Sequence, residues 1–356
     1  TSDTPTTPPS IPAVASGTPA ATLEPAPSQR APVDLETSLD RLFGTNFNGS
    51  VLVARDGDVR YAKGFGMADA AANIANSPET RFRIGSVTKQ FTAMAILILE
   101  ARGLLKSSDP VCDYLETCPD GWGAITIEHL ITHTSAIAEF TEQPDFDQMQ
   151  PATPAETVAS VSDIPLVRAP GASFVYNNTG YVLLGMVLEK VSGTSYEAFL
   201  QEEIFGPIGM TDSGYEHGAT PGLATGYVTA FALAEPLDMS VPYAAGGLYS
   251  TVLDLHRWEE ALYTERLASA ADMARYFAPI VESTERPTFA YGYGMFIGEE
   301  GGRRVAFHDG GINGFYSQLS RYPDDHITVA ILTNLEASPD LLSLAQLAAR
   351  AARMSP

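Results

Sequence analysis

The chain has 356 residues, of which 45% are hydrophobic, so it is long enough to bury a large core as one big domain or two. Its 43 acidic and 21 basic side chains give a formal net charge of -22, with no cluster of lysine or arginine. This charge argues against a nucleic-acid partner, which needs a basic surface, and it would slow the approach of anionic substrates. No apolar run approaches the roughly 18 residues that a membrane span needs.

The N-terminal segment and the cysteines indicate where the protein works. Residues 1–33 contain eight prolines and few large apolar side chains, which predicts a disordered, extended tether ahead of a folded region over 34–356. Cys112 and Cys118, the only cysteines, fit either two unpaired thiols or a small disulfide, and we favour the disulfide. Together these features predict an extracytoplasmic protein, periplasmic, secreted or tethered to the cell surface through its N-terminus.

The folded region reads as strands, then helices, then strands. "LETSLDRLFG" predicts an amphipathic helix ended by Gly44, and the β-rich runs on either side of Asp56 and Gly57 predict a hairpin. Strand patterns return in "YGYGMFI", "RRVAFHDGG", "FYSQLSRYP" and "ITVAILTN", before a last helix in "LLSLAQLAARAAR". Between them, helices are predicted over 86–103, 127–132, 181–191, 195–205 and 253–262. We therefore predict a sheet completed by both chain ends, with a mainly helical region inserted between them.

Ser86 and Lys89 stand at the start of the apolar helix "GSVTKQFTAMAILILE". Residues three apart share one face of a helix, so the hydroxyl and the amine would lie side by side. Burial would lower the pKa of the lysine towards that of a proton acceptor, and the helix start offers free backbone N–H groups to an oxyanion. The same pattern also fits a serine N-cap followed by a solvated lysine.

Two later stretches carry further candidates. In "FVYNNTGYVLLG", Tyr176 and Asn178 would point the same way from an extended segment and present a phenol and an amide to one cleft, although a helix-capping asparagine fits equally. In "VAFHDGGINGF", a strand-like run ends in His308, Asp309, Gly310 and Gly311. The two glycines allow a backbone or a ligand to approach closely, and the alternative is a turn with a surface histidine.

Taken together, these motifs resemble the serine penicillin-recognising superfamily, specifically its class C β-lactamase-like branch, which includes D-alanyl-D-alanine carboxypeptidases and esterases. The branch pattern is S-x-x-K, then Y-x-N, then K-T-G or H-x-G, and this chain shows them at 86–89, 176–178 and 308–310. The flanks "ITIEHLITHTSAI", "GYVLLGMVLEKVSG", "IFGPIGMTDS" and "AAGGLYSTVLDLHRW" match in the same order, so the resemblance covers about residues 36–350.

The resemblance implies a fold and a division of the chain. The fold is α/β plus all-α, with an antiparallel sheet formed by both chain ends and flanked by helices, as in the β-lactamase/transpeptidase architecture. The α/β part would comprise about residues 34–85 and 285–356, and the helical part about residues 86–284.

The resemblance also implies catalytic roles. Ser86 would be the acylated nucleophile, and Lys89 would assist its deprotonation. Tyr176 would relay protons as the base in acylation and deacylation, with its acidity raised by the nearby lysine. The backbone N–H groups of Ser86 and Gly311 would form an oxyanion hole, in which each donor contributes roughly 3 kcal/mol.

The remaining motif residues would bind substrate. Asn178 would hydrogen-bond the amide carbonyl of the substrate, and His308 would take the third-motif place beside Tyr176. Asp309, Gly310 and Gly311 complete the substrate-binding set.

Three departures from the branch pattern qualify this picture. His308 replaces the lysine of dedicated class C β-lactamases, as is common among the peptidases and esterases. Asp309 stands where a hydroxyl residue often helps to hold a substrate carboxylate, and an acid facing the cleft would repel such a group by about 1 kcal/mol or more. Strand alternation equally allows Asp309 to point away. Ala136 replaces a usual glycine and is expected to perturb only a turn.

Cofactor sites find little support in the sequence. His129 and His133 have the i, i+4 spacing of a zinc helix, but the glutamate of H-E-x-x-H is missing, so we predict no metal site. "GFGMAD" lacks the third glycine of a dinucleotide-binding turn. The glycines of "AAGGLYS", Gly246 and Gly247, are expected to pack near the site for backbone reasons.

The sequence therefore predicts a serine hydrolase that forms an acyl-enzyme at Ser86 and acts on amide, β-lactam or ester bonds without metal or organic cofactor. The substrate would be a small molecule or a peptidoglycan peptide. We rank a D-Ala-D-Ala carboxypeptidase-like or β-lactamase-like activity first and a carboxylesterase of the same family second. A penicillin-binding sensor that is acylated without turnover, or a degenerate scaffold, is the alternative from another class, and the intact motifs argue against degeneracy.

Overall fold

The computed structural model describes residues 34–44, 47–229 and 232–355, so the tether predicted over 1–33 lies outside the described residues. The α-helices are α1 (Leu35–Phe43), α2 (Thr88–Ala101), α3 (Ile127–Ile131), α4 (Pro154–Ser162), α5 (Asn178–Ser192), α6 (Tyr196–Leu200), α7 (Gly206–Ile208), α8 (Tyr243–Gly246), α9 (Val252–Ala261), α10 (Ala270–Tyr276) and α11 (Leu341–Met354). Turns of 3₁₀-helix occupy Gly85–Val87, Val111–Tyr114, Trp122–Ala124 and Phe140–Glu142, and a π-helical turn, Gln201–Phe205, joins α6 to α7.

The strands are β1 (Gly49–Arg55), β2 (Asp58–Phe65), β3 (Met67–Asp69), β4 (Ile74–Ala75), β5 (Phe82–Arg83), β6 (Gly214–Tyr215), β7 (Tyr227–Thr229), β8 (Ala232–Leu233), β9 (Leu248–Ser250), β10 (Val281–Glu282), β11 (Phe289–Tyr291), β12 (Phe296–Glu300), β13 (Arg303–Ile312), β14 (Phe315–Tyr322) and β15 (Ile327–Thr333). Eight of them form the main sheet in the order β10-β11-β12-β13-β14-β15-β1-β2, with antiparallel neighbours throughout.

The main sheet joins the two ends of the described chain. β1 pairs with β15, from Gly49 opposite Thr333 to Arg55 opposite Ile327. The hairpin between β1 and β2 turns through Asp56 and Gly57, whose φ angles of 55° and 84° suit a tight turn. This confirms the predicted antiparallel sheet with a mainly helical insertion, while the domain boundaries drawn at about 85 and 285 stay a prediction.

The two faces of the sheet pack against different layers. Val51 and Val53 of β1 pack in one cluster with α1 and α11, whereas Leu52 and Ala54 point to the other face and join the core of the helical region. This alternation is the two-residue period of a strand buried on both sides. The helical core centres on α2, in which every residue from Thr88 to Leu99 is buried.

Two further predictions concern the chain outside the sheet. Cys112 and Cys118 form a disulfide, with Cα atoms 5.0 Å apart, which confirms the preferred interpretation. Among the described residues, no helix combines the length and the apolar composition that a transmembrane segment requires.

Candidate active site

Ser86 lies in the 3₁₀ turn Gly85–Val87, which runs directly into α2. Gly85 has a φ of +48°, and a Cβ atom on it would lie 3.0 Å from the backbone nitrogen of Gly311. A Cβ on Gly310 would lie 2.1 Å from the carbonyl oxygen of Ile84 and 2.9 Å from the nitrogen of Ser86. The glycines therefore let strand β13 touch the serine-bearing turn backbone to backbone.

Lys89 is fully buried one turn after Ser86. Its ammonium donates to the Ser86 hydroxyl at 3.1 Å, to Oδ1 of Asn178 at 2.8 Å and to the Ala245 carbonyl at 2.8 Å. Burial lowers the pKa of Lys89 to about 7, although the negative charges of Glu139 and Asp309 raise it. A neutral amine, able to accept a proton, is therefore populated near neutral pH.

Asn178 is the first residue of α5 rather than its cap. The cap is Asn177, whose side chain accepts from the backbone N–H of Gly180. Glu139 holds Asn178 on the other side, because its carboxylate accepts from the backbone N–H and, at 3.3 Å, from the side-chain amide. The amide thus donates to Glu139 and directs its oxygen to Lys89.

Tyr176 is packed between aromatic rings and the lysine. The centroid of its ring lies 4.3 Å from that of His133 and 4.8 Å from the Lys89 nitrogen. Burial raises the pKa of Tyr176 well above its ordinary value, and the nearby Ser86 hydroxyl offsets only part of that shift. The expectation of a more acidic phenol was therefore wrong in direction. No described side chain or backbone group makes a hydrogen bond of ordinary geometry with the buried phenol oxygen.

His308 lies beside Tyr176, with 6.1 Å between the ring centroids. Its Nε2 is 3.0 Å from the hydroxyl of Tyr291, and its Nδ1 contacts the carbonyl oxygen of Asp309. Burial lowers the pKa of His308, with the Lys89 charge acting in the same direction. A neutral imidazole therefore occupies the place where the branch pattern also allows a lysine.

Asp309 points away from Ser86. Along β13, Phe307 packs on the α11 side of the sheet and Ala306 on the side of the helical region, so alternation directs Asp309 to the α11 side. Its carboxylate accepts from Arg286 at 2.8 Å. Of the two orientations that the sequence left open, the structure has the one outside the serine pocket.

The pocket at Ser86 has a volume of about 200 Å³. Apolar side chains form much of its wall, together with backbone of Gly85, Gly246 and Gly311; they are Phe140, Phe146, Leu237, Val241, Pro242 and Ile312. Thr141, Gln148, Asn178 and Asn313 are polar members of the wall. The pocket therefore suits a substrate with an uncharged, partly apolar group next to the reacting bond.

The two histidines with zinc-helix spacing lie in different settings. His129 closes a capping box with Thr126 at the start of α3, whereas His133 follows the end of that helix with a φ of 58°. His133 instead accepts from the backbone N–H of Asn177 at 3.0 Å. Ala136 has a φ of 63°, in the left-handed region that favours glycine. No cluster of potential metal ligands occurs within the described part of the chain.

Four groups at the site escaped the sequence analysis: Glu139, the Ala245 carbonyl, Arg286 and Tyr291. Each acts through a long-range contact, to Asn178, Lys89, Asp309 and His308 respectively. The one available signal was "AAGGLYS", where Gly247 allows close packing because a Cβ atom there would lie 2.4 Å from the ring of Tyr215. Helix α8, which carries Ala245, ends at this point.

Comparison with known proteins gives consistent matches. The family model described as Beta-lactamase matches residues 44–353. The Bacillus subtilis protein PbpX is 34% identical over 256 residues, covering 70% of this chain, which spans 62% of PbpX. Penicillin-binding protein 4* of the same organism is 32% identical over 326 residues, covering 84% of this chain and 71% of that protein. The octameric penicillin-binding protein homologue from Pyrococcus abyssi is 31% identical, with a TM-score of 0.79 over 90% of this chain and 76% of that one.

Proposed function

The chain belongs to the β-lactamase family, and on that premise we propose that it is a serine hydrolase whose nucleophile is Ser86. The observation that carries the proposal is the buried Lys89 amine, which lies 3.1 Å from the Ser86 hydroxyl and has its pKa lowered to about 7. A serine becomes a useful nucleophile when a neighbouring base can take its proton. A solvated lysine after a helix cap would have neither the burial nor the contacts.

We propose the following acylation step. Ser86 Oγ attacks the carbonyl carbon of the substrate while its proton passes to neutral Lys89, and the bond to the leaving group breaks as that group takes up a proton. Tyr176, with its pKa raised, remains a phenol at neutral pH and suits the relay of this proton. Water then attacks the acyl-enzyme, and the same groups return the proton to Ser86.

The negative charge of the tetrahedral intermediate needs donors. The backbone N–H groups of Ser86 and Gly311 are our candidates, because the first N–H groups of a helix have no partner within it and glycine contacts bring the two segments together. Asn178 lines the pocket and would bind the substrate amide while its own oxygen holds Lys89.

For the substrate, we propose a β-lactam, in line with the names of the penicillin-binding relatives, or the amide bond of a peptidoglycan peptide. We extend the proposal to a location outside the cytoplasm, which the disulfide Cys112–Cys118 supports. The apolar wall of the pocket supports a second candidate, a carboxylesterase that accepts neutral esters.

The first test is covalent labelling. A fluorophosphonate or a fluorescent penicillin should label the wild-type protein in one-to-one ratio, and Ser86→Ala should abolish the signal. Ser269→Ala is the matched control, because Ser269 also stands at a helix start, where it caps α10. Equal labelling of wild type and Ser86→Ala would refute the nucleophile.

Turnover then separates the candidate substrates. A chromogenic cephalosporin, a D-Ala-D-Ala peptide and a p-nitrophenyl ester should be compared by kcat/KM. A peptide or cephalosporin preference supports the first candidate, and an ester preference of more than tenfold supports the second. A stoichiometric burst with no steady state would contradict both and identify a sensor.

A further inference from the structure

Strand β13 extends past its neighbour at the site. Its pairing with β12 reaches Phe307, opposite Phe296, whereas its pairing with β14 continues to Ile312. Asp309 lies two residues before Gly311 on this stretch, a separation of roughly 6.6 Å along an extended strand. Consider a substrate whose reacting carbonyl accepts from the N–H of Gly311. A charged group on the neighbouring residue of that substrate would then interact electrostatically with Asp309.

The serine pocket itself offers no charge to such a group. None of the described residues that line it is a lysine, an arginine, a histidine or a carboxylate. Lys89 contacts Ser86 but does not line the pocket. Its ammonium is occupied by three hydrogen bonds, to Ser86, Asn178 and Ala245. A carboxylate next to the scissile bond would lose its hydration here without gaining a counter-charge.

A second pocket, of about 280 Å³, lies on the α11 side of β13. It contains Arg286, whose guanidinium donates to Asp309 at 2.8 Å and lies 4.9 Å and 5.3 Å from the ring centroids of Phe296 and Phe307. Glu336 and Asp340 line the same pocket. Its described lining thus has one guanidinium against three carboxylates, and Asp309 already neutralises the guanidinium.

We propose that the Asp309–Arg286 ion pair makes the enzyme select substrates without a free carboxylate beside the scissile bond, such as internal peptide bonds, carboxamides and neutral esters. This inference rests on the proposed acylation of Ser86 and refines its substrate class. The ion pair acts by withholding Arg286, because the aspartate occupies the guanidinium that lines the same pocket as Gly310. Arg83, whose guanidinium lies 5.6 Å from the ring of Phe315 at the end of β13, is already paired with Glu216 at 2.8 Å. Removing the aspartate charge releases that guanidinium, so the selectivity is reversible by one substitution.

The test uses two substrates that differ only in charge, an N-acyl-D-Ala-D-Ala peptide and its C-terminal carboxamide. Release of D-alanine or D-alaninamide gives kcat/KM, and slow substrates are ranked by the rate at which they block labelling of Ser86. The wild-type protein should prefer the carboxamide by about tenfold or more, because the carboxylate of the free acid would find no free counter-charge at the site. Equal rates, or a preference for the free acid, would overturn the inference.

The variants identify the cause. Asp309→Asn should shift the ratio towards the free acid by about tenfold, and Arg286→Gln in the same chain should remove that gain. Asp324→Asn is the matched control. Asp324 forms an ion pair with Arg304 at the opposite end of β13, so this variant also removes one carboxylate from an aspartate–arginine pair. A gain in Asp324→Asn as large as in Asp309→Asn would show a general charge effect and contradict the ion-pair account.

Labelling of Ser86 tests the proposed hydrolase, whereas the substrate ratio in Asp309→Asn tests the ion pair, so the two failures are distinguishable. Labelling of Ser86 together with an unchanged substrate ratio in Asp309→Asn leaves the serine hydrolase standing and rejects the ion pair as its selector. Absence of both labelling and turnover rejects the hydrolase, and the inference falls with it. Thermal unfolding of each variant identifies misfolding, and the conservative variant Asp309→Glu should retain the wild-type preference.

Discussion

The side chain of Lys89 is fully buried, and three hydrogen-bond acceptors surround its ammonium group. The hydroxyl of Ser86, the amide oxygen of Asn178 and the Ala245 carbonyl match the three donors of an ammonium group, while burial favours the neutral amine. Burial lowers the pKa of this lysine to about 7 against the charges of Glu139 and Asp309, which raise it, so both forms are populated near neutral pH. Its proton is therefore available for transfer at neutral pH.

The charge of Glu139 acts on this balance and gives a pH prediction. If neutral Lys89 is the base, kcat/KM should rise through a limb near pH 7 as the lysine loses its proton. Glu139 raises the pKa of Lys89, so Glu139→Gln should lower that pKa and move the limb to more acidic pH. The measurement is kcat/KM for a neutral substrate from pH 5 to pH 9.

Other groups facing Lys89 do not reproduce this shift. Tyr176 and Tyr181 present their rings, and the neighbouring His133 and His308 have pKa values lowered by burial and by the lysine. Asp309 acts in the same direction as Glu139 and stays in place in the variant. Glu142→Gln, in the same 3₁₀ turn region, is the control and should leave the limb unmoved. A limb that stays put in Glu139→Gln would remove Lys89 as its origin.

The residue scale also marks the limit of sequence reasoning. Ser86, Lys89, Tyr176 and Asn178 were predictable because short motifs carry them, and the structure brings them together. Glu139 was not predictable, because its role at the site depends on a contact with Asn178, 39 positions away in the sequence. The pKa of Tyr176 was misjudged for a similar reason: a motif shows a neighbouring lysine but not the burial that outweighs it.

At the scale of elements, the site depends on the contact between the 3₁₀ turn Gly85–Val87 and strand β13. Ser317 of β14 strengthens this contact by donating its hydroxyl to the Ile84 carbonyl at 2.7 Å. Because the carbonyl of Ile84 already lies where a Cβ on Gly310 would be, there is no room for a side chain between turn and strand. The turn is thus held against the sheet from two strands.

This close contact predicts the effect of one methyl group. Gly310→Ala should push the strand from Ser86 and lower kcat/KM by about 100-fold, as expected for a misplacement on the order of 1 Å. Gly123→Ala is the control, because no described atom beyond its two chain neighbours lies within 4 Å of its Cβ position, so it should change little. Both variants require a thermal unfolding curve beside the kinetics. Retained activity in a folded Gly310→Ala protein would show that the contact does not position the serine.

The elements themselves were predictable to different degrees. The hairpin at Asp56 and the strands from β12 to β15 follow from turn residues and runs of β-branched and aromatic side chains. Helices α4, α7, α8 and α10 were missed, because they are short and lack a long apolar period. Two of them, α4 and α10, begin at side-chain caps, Thr153 and Ser269. The sheet order, in which β1 lies between β15 and β2, also needs tertiary contacts that no local pattern contains.

At the scale of the whole molecule, the net charge of -22 adds a long-range effect to the local one at Asp309. The two are separable, because the local ion pair discriminates within the bound complex, whereas the overall field acts on the approach of the substrate. Salt screens the field over distance but affects a close, partly buried pair much less. Ionic strength is therefore the variable that distinguishes them.

The expected result is a difference between matched substrates. Raising the ionic strength from 0.01 M to 0.15 M shortens the screening length from about 30 Å to about 8 Å, so kcat/KM for the free-acid peptide should rise severalfold. The uncharged carboxamide should show little change, which controls for effects of salt on folding. Because the local pair persists in salt, the carboxamide should remain the better substrate throughout. A free-acid rate that falls with salt would mean that an attractive cation, rather than the acidic surface, governs its approach.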